Sequence, residues 1–250
     1  MRLRIGLSLV VALGLQAPAL ARPVTEPARI DRGAPDCTQI PPEVTPPLAT
    51  DTSVALPLEV RVMAEAPDLA TVKEQIAVTR DVFARIGIRM KARYDLVTVP
   101  EGWNVDELGS GPSQTEILEF MKDHYRGQRP PGVDVVYFMT HYWAGGFADC
   151  IGGVAFPDRA FALGSLDYAV EGVVPAPTAD EGVIAAHEIG HLLGAHHHYS
   201  NCSEALPSGA TRGEVGPCTT MSPLAATASR TFGLLERSYV RYYAEEFARG

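Results

Sequence analysis

Between Ala55 and Ala64 the chain reads ALPLEVRVMA, where apolar and polar residues alternate over much of the stretch. That period of two predicts a strand with one face in a core. From Leu69 to Ile86 the period changes. Leu69, Val72, Ile76, Phe83 and Ile86 recur at helical spacing, and Thr79 is the one polar residue on their stripe. Residues Ile88 to Val99 return to a strand-like pattern, Thr115 to Tyr125 predicts a second helix, and VDVVYFM at Val133–Met139 predicts a buried strand. Gly153–Phe156 and Arg159–Leu166 read as two short strands. Strands alternating with helices predict an α/β (α+β) sandwich rather than a helix bundle or a β-barrel. With no internal repeat and no second core-sized region, one domain over residues 54–250 is expected.

The N-terminus departs from this alternation. Arg2 and Arg4 precede an almost wholly apolar run, Ile5 to Leu15, and Ala19-Leu20-Ala21 offers small residues at a cleavage position before Arg22. Residues 1–21 therefore read as a signal peptide. The run is shorter than the ~20 residues that span a bilayer, so no membrane anchor is expected. A secreted or periplasmic location follows, with cleavage near Ala21. Residues 22–53 form a Pro-rich segment, with seven prolines between 22 and 50, and are a candidate short prosegment. Proline at that density excludes regular structure and predicts an extended course over the surface.

Composition narrows the function classes. The 250 residues are 46% hydrophobic and 20% charged, enough apolar matter for a core and too much for wholesale disorder. The net charge of −9 becomes −11 once residues 1–21 are removed, because they carry two arginines and no acids. Such a balance argues against a nucleic-acid partner or an anionic membrane surface.

Chemistry concentrates in TADEGVIAAHEIGHLLGAHHH, Thr178 to His198. Thr178 with Glu181 three residues later forms a capping-box pattern that starts a helix. On that helix His187 and His191 are four apart, so both imidazoles leave one face and can grip one ion. Glu188 stands beside the first of them, able to reach a metal-bound water without ligating. Gly194 suits the helix end, since glycine adopts the left-handed turn conformation without strain. His197 can then swing back as a third nitrogen ligand. Three neutral histidines and one water make the open tetrahedral site of a single catalytic Zn2+. A solvated histidine tract is the plain alternative. However, His187, Glu188, His191, Gly194 and His197 fit all five fixed positions of HExxHxxGxxH, and Met221 follows in PCTTMSP. His196 and His198 flank the third ligand and are read as exposed or as hydrogen-bonding neighbours of it. His124 and His141 lie far from the motif and read as ordinary surface or core residues.

On these residues the chain resembles a metzincin zinc peptidase and is most similar to the adamalysin/reprolysin family, over roughly residues 54 to 248. Cys218-Thr219-Thr220-Met221-Ser222-Pro223 resembles that family's Cys-x-x-Met-Ser-Pro turn, whereas astacins and serralysins carry a tyrosine where Pro223 stands. Phe232 to Phe247 resembles its C-terminal helix. In one respect the sequence differs: adamalysins usually have aspartate directly after the third histidine, and here it is His198. The resemblance implies a twisted, mostly parallel five-stranded sheet with long helices, an active-site helix, a Met-turn and a C-terminal helix. It implies an edge strand that binds extended peptide, for which Ile151-Gly152-Gly153-Val154-Ala155 is the candidate. It further implies that Met221 is a hydrophobic floor under the zinc site, and that Ser222, Pro223 and Leu224 help to wall the main specificity pocket.

The expected function is thus an exported zinc endopeptidase acting on protein or peptide as a monomer. Zinc-bound water would be the nucleophile and Glu188 the general base that later hands its proton to the leaving amine. A catalytically silent metzincin-like peptide-binding module, or a zinc hydrolase of a non-peptide amide, is the alternative. The four cysteines admit two arrangements. Cys202 and Cys218 bracket 15 intervening residues, where a bridge is worth ~3 kcal/mol in the chain-entropy model. Cys37 and Cys150 would then pair. Alternatively, Cys37 supplies an inhibitory thiolate to the zinc, as prosegments of some metzincins do.

Overall fold

The computed structural model of the chain describes residues 37, 46–103, 111–143, 145–166, 181–197, 218–222 and 229–248. The signal-peptide reading of residues 1–21, most of the Pro-rich segment, Thr178, His198, Cys202, Pro223 and Leu224 lie outside the described residues.

The predicted alternation forms one sheet with helices on both faces. Strand β1 (Leu56–Glu65) is followed by helix α1 (Leu69–Ala84) and strand β2 (Ile88–Val97), and the two strands pair in parallel from Leu56↔Ile88 to Glu65↔Val97. A parallel pair needs a crossover, which α1 provides. Helix α2 (Gln114–His124) leads to β3 (Val135–Thr140), then come β4 (Gly146–Ala148), β5 (Phe161–Ser165), α3 (Glu181–Leu192) and α4 (Leu234–Phe247). The sheet order is β2-β1-β3-β5-β4, parallel except for β4, which runs antiparallel to β5 at one edge. This is the expected mixed α/β fold with a mostly parallel five-stranded sheet. No helix among the described residues is long and apolar enough to cross a membrane.

Period two sorts the strand side chains between two cores. Leu58, Val60, Val62 and Ala64 of β1, with Val135, Tyr137 and Met139 of β3, join the core made with α1, α3 and α4. Met63, Val136 and Phe138 face the other way, against Ile117 and Met121 of α2. The polar residue on the α1 stripe has a purpose. Thr79 is fully buried, and its hydroxyl donates to the Gly182 carbonyl in the first turn of α3 at 2.9 Å. Gln75 Oε1 in turn accepts from the Gly182 N–H at 3.1 Å. A Cβ at Gly182 would sit 2.6 Å from Val78 Cβ, so the missing side chain lets the two helices meet closely enough for both bonds.

One expectation is corrected. Gly153–Phe156 is not a strand, and Ile151–Ala155 is not the sheet edge. Gly152 takes φ +80°, Gly153–Ala155 form a single 3-10 turn, and the Gly152 N–H donates to the His191 carbonyl at 2.8 Å. A left-handed glycine followed by a tight turn cannot extend along a neighbouring strand. The segment buttresses the end of α3 instead. The edge is β4, a three-residue strand in HYWAGGFADC.

Candidate metal centre

Helix α3 is buried along its whole length from Gly182 to Leu192. His187 is fully buried and His191 almost so. The helix stops where the sequence predicts. Gly194 has φ +83°, its N–H donates to the His191 carbonyl at 2.8 Å, and Ala195 N–H donates to Gly190 O at 3.0 Å. A Cβ at Gly194 would press on the Tyr243 ring of α4, 2.5 Å from Cδ2, so the turn also fits under the C-terminal helix. Reversing there, the chain brings His197 back towards the helix.

The three imidazoles converge. His187 Nε2 is 3.0 Å from His197 Nε2, and His191 Nε2 is 3.1 Å from it. His187 Nδ1 donates to the Thr220 carbonyl at 2.8 Å, and His191 Nδ1 donates to the Ala195 carbonyl at 2.7 Å. Carbonyl oxygens only accept, so both Nδ1 atoms carry the proton and both Nε2 atoms present a bare lone pair to one point. Burial, then the neighbouring His197, lowers the His187 pKa to about 3. Burial, with the other two imidazoles, holds His191 well below its ordinary value too. These groups are neutral ligands at pH 7.

Three nitrogens about a tetrahedral ion with Zn–N of ~2.0–2.1 Å would lie ~3.3–3.4 Å apart, within a few tenths of what is observed. A single shared imidazole proton could serve only part of this set, whereas one cation meets all of it. The donor set thus fits a three-histidine metal site, and among the described residues these three form the cluster able to hold an ion. His196 is half-buried beside it. His141 lies elsewhere, with Nε2 3.0 Å from Asp68 Oδ1, and His124 stacks edge-on against Tyr125.

Glu188 is fully buried and points at the sheet edge. A Cβ at Gly146 of β4 would land on its carboxylate, 2.6 Å from Cγ and 2.7 Å from Cδ, so a bare backbone at 146 makes room for the side chain. The buried Tyr137 hydroxyl registers that charge: its pKa is raised well above the usual value by burial first, then by Glu188 and Glu181. Met221 lies beneath the helix with no exposure, its sulfur 2.9 Å from where a Cβ at Gly190 would project. A glycine inside a helix is destabilising by about 0.5–1 kcal/mol relative to alanine, and here its bare backbone lets Met221 and the Phe232 ring pack close to the helix. Ser222 is buried in the turn after Met221, with its N–H donating to Thr219 O at 3.1 Å. Of the cleft residues expected at 152–155, Gly152, Gly153 and Val154 are buried behind α3 and Ala155 partly so.

Cys37 is bonded to Cys150, with Cα atoms 5.6 Å apart, and its N–H donates to Ile151 O at 2.9 Å. It is therefore not a thiolate offered to the histidines. Cys218 is also disulfide-bonded. Sequence reasoning missed the carbonyls of Thr220 and Ala195, which carry no side-chain signature, and Gly146, whose only sign was a glycine pair at 145–146.

A family model described as metallo-peptidase family M12B, reprolysin-like, matches residues 71–198. No curated protein sequence matches the chain. Among solved structures, archaemetzincin from Methanopyrus kandleri is similar at 16% identity and TM-score 0.43, over 79% of this chain and 99% of that one. Mirolysin in complex with compound 9 is similar at 13% identity and TM-score 0.41, over 79% and 100%. Mature mirolysin of Tannerella forsythia with a cleaved peptide gives 14% identity and TM-score 0.33, over 80% and 100%.

Proposed function

From the premise that the chain belongs to metallo-peptidase family M12B, reprolysin-like, we propose that it is an exported zinc endopeptidase whose general base is Glu188. The observation that supports this reading most is the convergence of three neutral imidazoles on one point, 3.0 and 3.1 Å apart, beside a fully buried glutamate.

His187, His191 and His197 would hold the ion. Bound there, zinc supplies Lewis acidity, polarising a carbonyl and making water acidic enough to lose a proton near neutral pH. The protein's own groups do the rest. Thr220 O and Ala195 O fix the ring orientations through the Nδ1 protons. Glu188 takes a proton from the attacking water on a carboxylate oxygen and delivers it to the nitrogen of the departing amine. Met221 and the helix packing exclude solvent from below. Edge strand β4 offers its outer side to an extended peptide, whose scissile bond would pass Gly146 and hence Glu188. The signal-peptide pattern at residues 1–21 and a disulfide at Cys37–Cys150 support export, since such bonds persist in oxidising compartments.

The test is cleavage of casein or a peptide library by the purified chain, with and without phenanthroline. Chelator-sensitive cleavage is expected. Zinc-loaded protein that binds peptide without cutting it would make the chain a silent module, and turnover of non-peptide amides alone would make it a different hydrolase. Glu188→Gln should keep one zinc and lose activity by about 10²–10⁴-fold, the range for a positioned base. His197→Ala should lose the metal on dialysis. Full zinc content in that variant would reassign the third ligand.

A further inference from the structure

The carbonyl that orients His187 belongs to a loop, and something must hold that loop still. Thr220 is fixed along its backbone and side chain: its N–H donates to Thr231 O and its hydroxyl to Ser229 O, both at 2.8 Å. Those partners are themselves loop residues. A further brace comes from a regular element, from Glu236 in the first turn of α4. Its Oε1 accepts the hydroxyl of Thr219, the residue before Thr220, while its Oε2 accepts the Gly233 N–H at 2.8 Å. Glu236 has no solvent exposure and neither has Thr219.

The same chain shows what a glutamate at this helix position looks like when it only caps. In α2, Glu116 closes on Ser113 with its carboxylate in solvent, and among the described residues its bonds stay at that cap. Burying a carboxylate is costly unless its oxygens are hydrogen-bonded. The positive end of a helix and two donors stabilise Glu236, so the arrangement is sustainable. A capping role alone does not call for burial.

We propose that Glu236 is a positioning residue for the metal centre: through Thr219 it anchors the Thr220 carbonyl, which holds His187 in the Nδ1–H form with Nε2 aimed at the metal. The inference rests on the reading that the three imidazoles hold zinc. It assigns a long-range duty to a residue 49 positions from His187 in sequence. Partners that orient a ligating histidine typically change metal affinity by about 10–100-fold when removed.

The test uses the full chain carrying Thr219→Val, Thr219→Ser or Glu236→Gln. Zinc affinity is measured by competition with a chromophoric chelator, and the His187 tautomer by imidazole ¹⁵N shifts in zinc-free protein. Melting temperature serves as the control for folding. Thr219→Val, nearly isosteric but without the hydroxyl, should weaken zinc binding by about 10–100-fold and mix the His187 tautomers. Thr219→Ser should restore both. A folded Thr219→Val that binds zinc within about twofold of the parent and keeps the Nδ1–H signature overturns the proposal, whatever its melting temperature. Should Thr219→Val fail to fold, Glu236→Gln leaves one acceptor where two donors call, and the same losses are expected of it. If the parent itself takes no zinc, the metal reading fails, while the ¹⁵N comparison still decides whether Glu236 positions His187.

Discussion

Replacing Gly146 by alanine isolates the placement of the glutamate from every other part of the site. The added Cβ would meet Glu188 Cγ at 2.6 Å and Cδ at 2.7 Å and would land on Oε1. Carbon atoms in ordinary contact lie about 3.5–4.0 Å apart, so the side chain must retreat by about 1 Å. It is joined to a helix buried on all sides, so the retreat must come from its χ angles or from a shift of the short strand β4. Overpacking of this sort costs about 1–3 kcal/mol, or roughly 2–12 °C in melting temperature at this chain length. The functional loss should be larger. A general base displaced by about 1 Å loses on the order of 100-fold in rate. The atoms nearest the new Cβ all belong to Glu188, so zinc content should stay at one per chain. The assay is kcat/KM on a peptide substrate with metal analysis and a melting curve on the same sample. A variant that stays folded, holds its zinc and keeps activity within about threefold of the parent would refute the placement of Glu188 as the base.

Two further outcomes follow from the packing and the buried imidazoles. Thr79→Val removes the hydroxyl that joins α1 to the first turn of α3 and should destabilise the chain by about 1–3 kcal/mol, read from denaturant midpoints. An unchanged midpoint would mean that the contact contributes nothing. For the zinc-free protein, His187 has a folded pKa of about 3 against an unfolded value near 6.5, so the unfolded chain binds the extra proton between them. Its contribution is therefore fully present above pH 6.5 and is lost as pH falls towards 3, with His191 acting in the same direction. Melting temperature in chelator should drop steadily from pH 7 to 5, a range above most carboxylate titration. A flat curve there would contradict neutral burial of the pair.

The parts of this site that the sequence made legible are those set by helical geometry. A spacing of four, close to one turn of 3.6 residues, puts His187 and His191 on one face of any α-helix, and Gly194 marks the turn wherever the helix ends. The same logic exposed Thr79 as an anomaly on an apolar stripe, although its partner, a carbonyl 103 residues away, could not be read. Strands were harder. A three-residue strand such as Gly146–Ala148 is too short to show a period, while Ile151–Ala155, with two glycines among apolar residues, reads as an edge strand and is a tight turn. Burial against the end of α3 decided for the turn. Cys37 admitted both a bridge and an inhibitory thiolate, because pairing across 113 residues depends on tertiary placement. Backbone acceptors are the least legible of all, since every residue has a carbonyl and only the fold selects Thr220 and Ala195.

Helix α3 has no solvent face, and that has a bearing on how this protein can change over time. Each position from Gly182 to Leu192 is buried, and His187, Glu188 and His191 serve the site as well, so substitutions that tune chemistry there also lower folding stability. Variants with altered reactivity should therefore arise away from the helix, at positions such as Phe147 of β4, which is only partly buried. In a saturation library scored for soluble expression alone, residues 182–192 would already be intolerant before any substrate is added.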